Sequence, residues 1–323
     1  MDGLLTRETR RRVAVALLVA LTVVFVALAV VTSTGRLPSL DVRLSWPWLA
    51  LSVVLLLAFQ PAVAEIWRRV MAEAGGPLPV AQGQAIYNVS LLTRYVPTQV
   101  LMAVTRIELA QREGIPRTVT VAAFAYEFAL AVGSACALSV SFVLGLDSLQ
   151  DQPLRYVVLV APVGVLLLLH PRVIDALSSR LAARLRFTPA HVTIPLRRLV
   201  LYLAVYLVAW LEAGVAIYCL ARGIHAVGDP SVTALSSYAI GYAAAAIAFV
   251  APAGLGARDV ATATALATSM PFSVALTTAI AVRLVQTGIE IFYAVTTALW
   301  ARRTGGRQTM AEQPSGRPLL SDG

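Results

Sequence analysis

The chain has no lysine, only Cys136 and Cys219 as cysteines, and only three histidines, His170, His191 and His225. Each scarcity removes a class of function. Two cysteines inside apolar runs cannot build a disulfide framework or a thiolate metal site, and they read as small core residues. The histidines are scattered, with no HExxH or nucleophile motif beside them, so no metal or other cofactor is expected. Charged residues make up only 13% of the 323 positions, too few to cover a soluble globule of this size. The positive charge is carried entirely by 26 arginines. They fall between apolar runs instead of clustering with aromatics on one face, which excludes a nucleic-acid partner. Alongside the Ala and Val excess, the missing lysine reads as codon bias.

What the chain does have is apolar length: 58% of its residues are hydrophobic. A hydrocarbon core takes about 20 apolar residues per helix. Six segments reach that length, at about 13–31, 48–66, 118–146, 154–170, 199–221 and 271–300. The expected fold is therefore all-α, a polytopic helical membrane protein. It forms one membrane domain over 1–300, with halves at about 1–146 and 154–300. The first segment follows Arg7, Arg10, Arg11 and Arg12 and exceeds a signal-peptide core, so it is expected as a retained helix. Ala27-Leu28-Ala29 has the form of a cleavage site, and cleavage there leaves the remaining topology unchanged.

Arginine placement sets the orientation. Arg7 to Arg12, Arg68 and Arg69, the run from Arg172 to Arg198, and Arg302, Arg303 and Arg307 flank alternate ends of the spans, whereas the opposite loops hold only Arg36, Arg43, Arg155 and Arg222. Positive-inside bias then puts both termini in the cytoplasm. Residues 171–198 fit an amphipathic helix on the inner leaflet or a solvated basic loop. Residues 301–323 lack an apolar period and are expected to be a disordered cytoplasmic tail.

Two further apolar stretches, 80–112 and 231–270, are broken in mid-run, at Arg94-Tyr95-Val96-Pro97-Thr98 and at Ala251-Pro252-Ala253-Gly254-Leu255-Gly256-Ala257-Arg258-Asp259. Non-helical backbone at membrane depth survives only where protein or a water-filled cavity satisfies it. The topology predicts re-entrant hairpins entering from opposite sides, one per half, as in an inverted repeat. The competing arrangement has one or both stretches crossing fully with a kink at the proline.

The breaks carry specific chemistry. Pro252 removes a donor, and Gly254 and Gly256 permit unusual backbone and close ligand approach. A helix resuming at Asp259 turns free amides toward the break, and Arg258 adds a planar donor fork suited to phosphate. Asp259 in that first turn also suits a simple cap. The first break supplies Arg94, with Tyr95 and Pro97 at its tip, and Arg106 and Glu108 on the returning arm. Candidate lipid phosphate ligands are thus Arg94, Arg106, Arg258, Gly254 and Gly256. Within full spans lie Glu127, Glu212, Arg283 and Glu290, each costing roughly 2.5–3.5 kcal/mol at the bilayer centre. With Gln286, the last two fall on one stripe of the final helix, expected to line a cavity. Alternatively these charges lock helices together, for instance Arg283 with Glu127 or Glu212. Tyr238 and Tyr242, one turn apart, read as packing.

The run Arg94-Tyr95-Val96-Pro97, then Val104 to Ile115, then Glu127, together with Pro252-Ala253-Gly254-Leu255-Gly256-Ala257-Arg258-Asp259, resembles the membrane domain of lysylphosphatidylglycerol synthase/flippase proteins. Thr98, Ala253 and Asp259 depart from that pattern, in which glycine, glycine and glutamate are common. The resemblance implies a polytopic domain of a bacterial cytoplasmic membrane that moves an anionic or modified lipid between leaflets. The lipid could be a phospholipid, a glycolipid or a polyprenyl-phosphate-linked sugar. With only the short tail after Trp300, lipid aminoacylation is not expected, and carboxylates at Glu127, Asp259, Glu212 and Glu290 would balance the arginines. The partners this implies are membrane lipids as substrate and, beside them, cell-envelope biosynthesis enzymes. The rival readings are a membrane-embedded enzyme on lipid-linked phosphate and a non-catalytic scaffold.

Overall fold

A computed structural model describes residues 44–95, 100–144, 194–224, 231–247 and 256–311, with a few isolated positions besides. The expected spans at 13–31 and 154–170, most of the 171–198 segment, and Pro97, Pro252 and Gly254 lie outside the described residues. All regular structure among the described residues is helical: α1 (Trp46–Glu73), α2 (Val80–Leu91), a 3-10 turn (Leu92–Tyr95), α3 (Val100–Arg112), α4 (Arg117–Leu144), α5 (Leu196–Ile224), α6 (Val232–Leu235), α7 (Ser237–Ile247), α8 (Ala257–Leu266) and α9 (Phe272–Ala311).

Four helices, α1, α4, α5 and α9, are long and apolar enough to cross a membrane. They coincide with the four expected spans that fall within the described residues. Only 39–67% of their most apolar windows is buried within the protein. The outward remainder is still apolar, as at Val200, Val208, Phe292 and Val295, which is the surface a lipid environment requires. Pro61 inside α1 shows how the membrane rule is met locally. Proline has no N–H, so the carbonyl of Leu57 four residues earlier loses its helical donor. The Tyr293 hydroxyl of α9 donates to that carbonyl at 2.8 Å.

The two interrupted stretches fold back on themselves. Helices α2, α3, α7 and α8 have 12, 13, 11 and 10 residues, roughly 15–20 Å each at 1.5 Å per residue, well short of a hydrocarbon core of about 30 Å. α2 packs on α3, and α7 packs on α8. Each break therefore sits between two short antiparallel-capable arms and not within one crossing helix.

An exchange relation runs through these contacts. Pair α1 with α5, α2 with α7, α3 with α8 and α4 with α9, and the contacts of one half reappear in the other. Thus α2 packs on α9 and α7 on α4, α1 packs on α2 and α5 on α7, while α3 packs on α4 and α8 on α9. The equivalent helices α1 and α5 lie side by side. Their ends fix the direction: Ser45 N–H donates to the Gly223 carbonyl at 2.8 Å, and Glu73 meets Arg198 at 3.3 Å. The start of each helix thus meets the end of the other. This equivalent pair therefore runs in opposite directions, as an inverted repeat requires.

One boundary differs from expectation. The last helix continues to Ala311, so residues 301–311 are helical, whereas a disordered tail is expected from residue 301. Gly305 and Gly306 oppose a helix here, but Ala, Arg, Gln and Met favour one, and extending an existing helix avoids the cost of nucleation. Residues 312–323 lie outside the described residues.

Candidate functional site

Between the two hairpins lies a cavity of about 370 Å³, within the size range of small-molecule sites. Arg94, Arg106 and Arg258 all line it, together with Glu127, Gln286 and Glu290. These residues come from both halves, more than 190 positions apart at the extremes. The wall between them is largely aromatic, with Tyr87, Phe124, Tyr206, Trp210, Tyr238 and Tyr242 facing the same space.

Arg106 is the most enclosed of the three cations, 1% exposed in the middle of α3. Its Nε donates to Ser90 Oγ at 3.0 Å and its Nη1 to Glu127 Oε2 at 3.2 Å. The guanidinium lies 4.5–5.3 Å from the ring centroids of Tyr87, Trp67 and Phe124. The second oxygen of Glu127 accepts from the Tyr206 hydroxyl at 3.2 Å. A buried ion pair needs such further hydrogen bonds to offset desolvation. Arg106 therefore pins the returning arm α3 to the long helix α4.

The second half holds the counterpart with polarity reversed. Asp259 in the first turn of α8 accepts from Arg283 Nη1 of α9 at 3.0 and 3.1 Å. Two expectations are corrected by this pair. Arg283 does not line the cavity with Gln286 and Glu290, and its partner is neither Glu127 nor Glu212. Packing of α8 on α9 brings the nearer carboxylate within reach.

Arg94, in the 3-10 turn before the first break, forms an ion pair with Glu290, which is 1% exposed on α9. This pair joins the first hairpin to the last helix of the opposite half. Arg258 differs from the other two cations. Its Nη2 donates to the amide oxygen of Gln286 at 3.1 Å and its guanidinium lies 4.7 Å from the Tyr238 ring centroid. Gln286 in turn donates to the Tyr238 hydroxyl. Among the described residues Arg258 has no ion-pair partner; its direct contacts are neutral, and the carboxylates of Asp259 and Glu290 act on it from beyond ion-pair distance.

Glycine explains how Arg258 reaches that position. Gly256 caps α8 with φ +86°, a conformation that L side chains rarely adopt. Gly241 of α7 lies where an added Cβ would fall 2.1 Å from Thr262 Oγ1 and 3.0 Å from the Arg258 carbonyl. The absent side chain lets the two arms close on one another.

Glu212, expected as a cavity charge, does not line it. It is half-buried on α5, flanked at one helical turn by the outward-facing Val208 and Val215, so it points away from the cavity with them. The Tyr95 side chain lies outside the described residues. Tyr238 and Tyr242, read as packing, do pack with the core and also line the cavity. Sequence reasoning passed over Tyr87, Tyr206 and Trp210, and also Gln60, which lines the cavity and donates to Asn88 at 2.8 Å. The available signal was weak: hydrogen-bonding tips within otherwise apolar runs. Among the described residues no three His, Cys, Asp or Glu gather into a metal-binding group.

Residues 13–292 match the family model described as the lysylphosphatidylglycerol synthase TM region. The chain belongs to that family and is a multi-pass membrane protein. No curated protein matches it.

Proposed function

We propose, from membership of the lysylphosphatidylglycerol synthase membrane-region family and the charge of the cavity, that the protein is a lipid translocator, not an enzyme. It would bind a phosphate-bearing headgroup between its two hairpins and pass it across the bacterial cytoplasmic membrane. The observation that carries this reading is Arg258. An arginine facing a cavity with neutral partners is ready to receive an anion, and its planar fork suits phosphate.

The headgroup phosphate displaces Gln286 from Arg258, while Arg94 lies across the cavity on the opposite hairpin. Arg106, enclosed by three rings and held by Glu127, contributes field more than contact. The tails remain outside. Phe128 supports this arrangement, because it lines the cavity and yet is 41% exposed on α4, where apolar tails can leave sideways. The inverted repeat supplies the motion: two similar halves rocking about a shared central site expose it to alternate leaflets. Both termini are cytoplasmic in this scheme, following the arginine bias.

The test is transbilayer movement of fluorescent lipid in proteoliposomes containing the full chain. Arg258→Gln removes a charged hydrogen-bond donor worth about 1.5–3 kcal/mol, so the rate should fall roughly 10- to 100-fold. An unchanged rate in normally inserted protein overturns the role of Arg258.

A further inference from the structure

We infer that Glu290 sets the charge the cavity accepts and makes it a site for headgroups with one net negative charge, lipid phosphodiesters, in preference to phosphomonoesters and zwitterions. The inference rests on the lipid-phosphate reading of the same cavity.

Its basis is the balance of charge around the space. The charged groups lining the cavity are Arg94 beside α2, Arg106 of α3, Glu127 of α4, Arg258 of α8 and Glu290 of α9. Among the described residues, three arginines against two glutamates leave one positive charge in excess. Helices α1, α5 and α7 contribute Gln60 and phenols to the lining, and phenols stay neutral near pH 7. The breaks themselves add nothing to the count: 96–99 reads Val-Pro-Thr-Gln, and 248–255 reads Ala-Phe-Val-Ala-Pro-Ala-Gly-Leu. The neighbouring Asp259 and Arg283 cancel one another.

Burial makes that single charge matter. Attraction between unit charges grows several-fold as the effective dielectric falls from that of water to that of a protein interior, and an uncompensated buried charge is strongly unfavourable. A phosphodiester cancels the excess. A phosphomonoester dianion leaves one negative charge over, and a zwitterion leaves the excess arginine unmatched. Of the two glutamates, Glu127 is committed to the Arg106 and Tyr206 contacts that hold α3 to α4. Glu290 lies on α9 and pairs across the cavity with Arg94, a cation 23% exposed, so it belongs to neither of the ties between an arm and its following helix, Arg106 with Glu127 or Asp259 with Arg283.

The experiment uses the full chain at pH 8, where a phosphomonoester is a dianion. Purified protein is tested for binding of dihexanoyl forms of phosphatidylglycerol, phosphatidic acid and phosphatidylcholine. Transbilayer movement of the matching fluorescent lipids is measured in proteoliposomes. The unmodified protein should favour phosphatidylglycerol over both others at least about tenfold. Glu290→Gln raises the excess to two positive charges and should reverse the preference between phosphatidylglycerol and phosphatidic acid. The double substitution Arg94→Gln with Glu290→Gln removes one charge of each sign, and it should restore the original order even though the ion pair is gone. Glu290→Asp should keep that order as well. Equal binding of all three lipids, or an order that Glu290→Gln leaves unchanged, overturns the inference. If Glu290→Gln does not fold, the double and Asp variants decide: loss of the phosphatidylglycerol preference in either sinks it. A protein that shows the binding order but moves no lipid keeps the charge rule and loses the translocator reading.

Discussion

Replacing Arg106 by alanine tests whether the first hairpin is held by a buried ion pair. The substitution removes a guanidinium that is 1% exposed, bonded to Ser90 and Glu127, and ringed by Trp67, Tyr87 and Phe124. It leaves Glu127 buried with only the Tyr206 hydroxyl on its other oxygen. Removing one partner of a buried pair costs about 3–5 kcal/mol, and loss of the cation over the rings adds roughly 1–2 kcal/mol. Relaxation and water entry will recover part of this, so we expect a net loss of about 3–5 kcal/mol. The contrast is the double substitution Arg106→Leu with Glu127→Leu. It removes both charges together and should cost at most about 1–2 kcal/mol, because apolar replacement of a whole pair is often close to neutral. The assay is the denaturant or thermal unfolding of purified protein, read at Tyr and Trp fluorescence. If the alanine variant unfolds within about 0.5 kcal/mol of the unmodified protein, or the double variant is as unstable as the single one, the pinning argument is wrong.

Two further outcomes follow from particular contacts. Arg283→Asp should destabilise the protein by placing two carboxylates together, and adding Asp259→Arg should recover most of the loss by rebuilding the pair with reversed polarity; the check is the yield of monodisperse protein for the single and double variants. Tyr293→Phe deletes the donor to the Leu57 carbonyl freed by Pro61, and unfolding should be easier by roughly 1–2 kcal/mol, with no loss when Pro61→Ala restores the helical donor first.

How much of this was legible in the sequence depended on whether a property is local. Apolar length is local, so α1, α4, α5 and α9 were all readable, although α1 runs on to Glu73 and α9 to Ala311, beyond the ends of the apolar runs. The breaks were readable for the same reason, since proline and glycine weaken a helix locally, although Pro61 inside α1 and Gly305-Gly306 inside α9 show that neither always ends one. Convergence of Arg94, Arg106 and Arg258 followed from the rule that charges at membrane depth must face protein or water. Pairing is not local. Arg283 could have met several carboxylates, and only the packing of α8 on α9 selects Asp259. The direction of Glu212 was hidden because α5 is apolar on every side, so that periodicity does not distinguish the face covered by α1 from the face turned outward. Tyr206 and Trp210 escaped notice because aromatics in apolar helices are ordinary core residues until their neighbours are known.

The inverted repeat gives these partial readings a common cause. In each half the returning arm is tied to the next long helix by one ion pair, Arg106 with Glu127 and Asp259 with Arg283, with the signs exchanged. The two ties are not equal. The first is almost wholly enclosed, its side chains 1% and 10% exposed, and three rings surround the cation. The second is 17% and 15% exposed, in a setting where water weakens the attraction and reduces the penalty for separation. Arg258 rides on that more loosely tied arm, one residue before Asp259, whereas Arg106 belongs to the firmly tied one. The cavity is therefore built from one firmly tied wall and one more loosely tied wall, and in the proposed translocator the second is the one that adjusts to a headgroup. That division follows directly from putting the same pair of opposite charges into the two halves at different depths of burial.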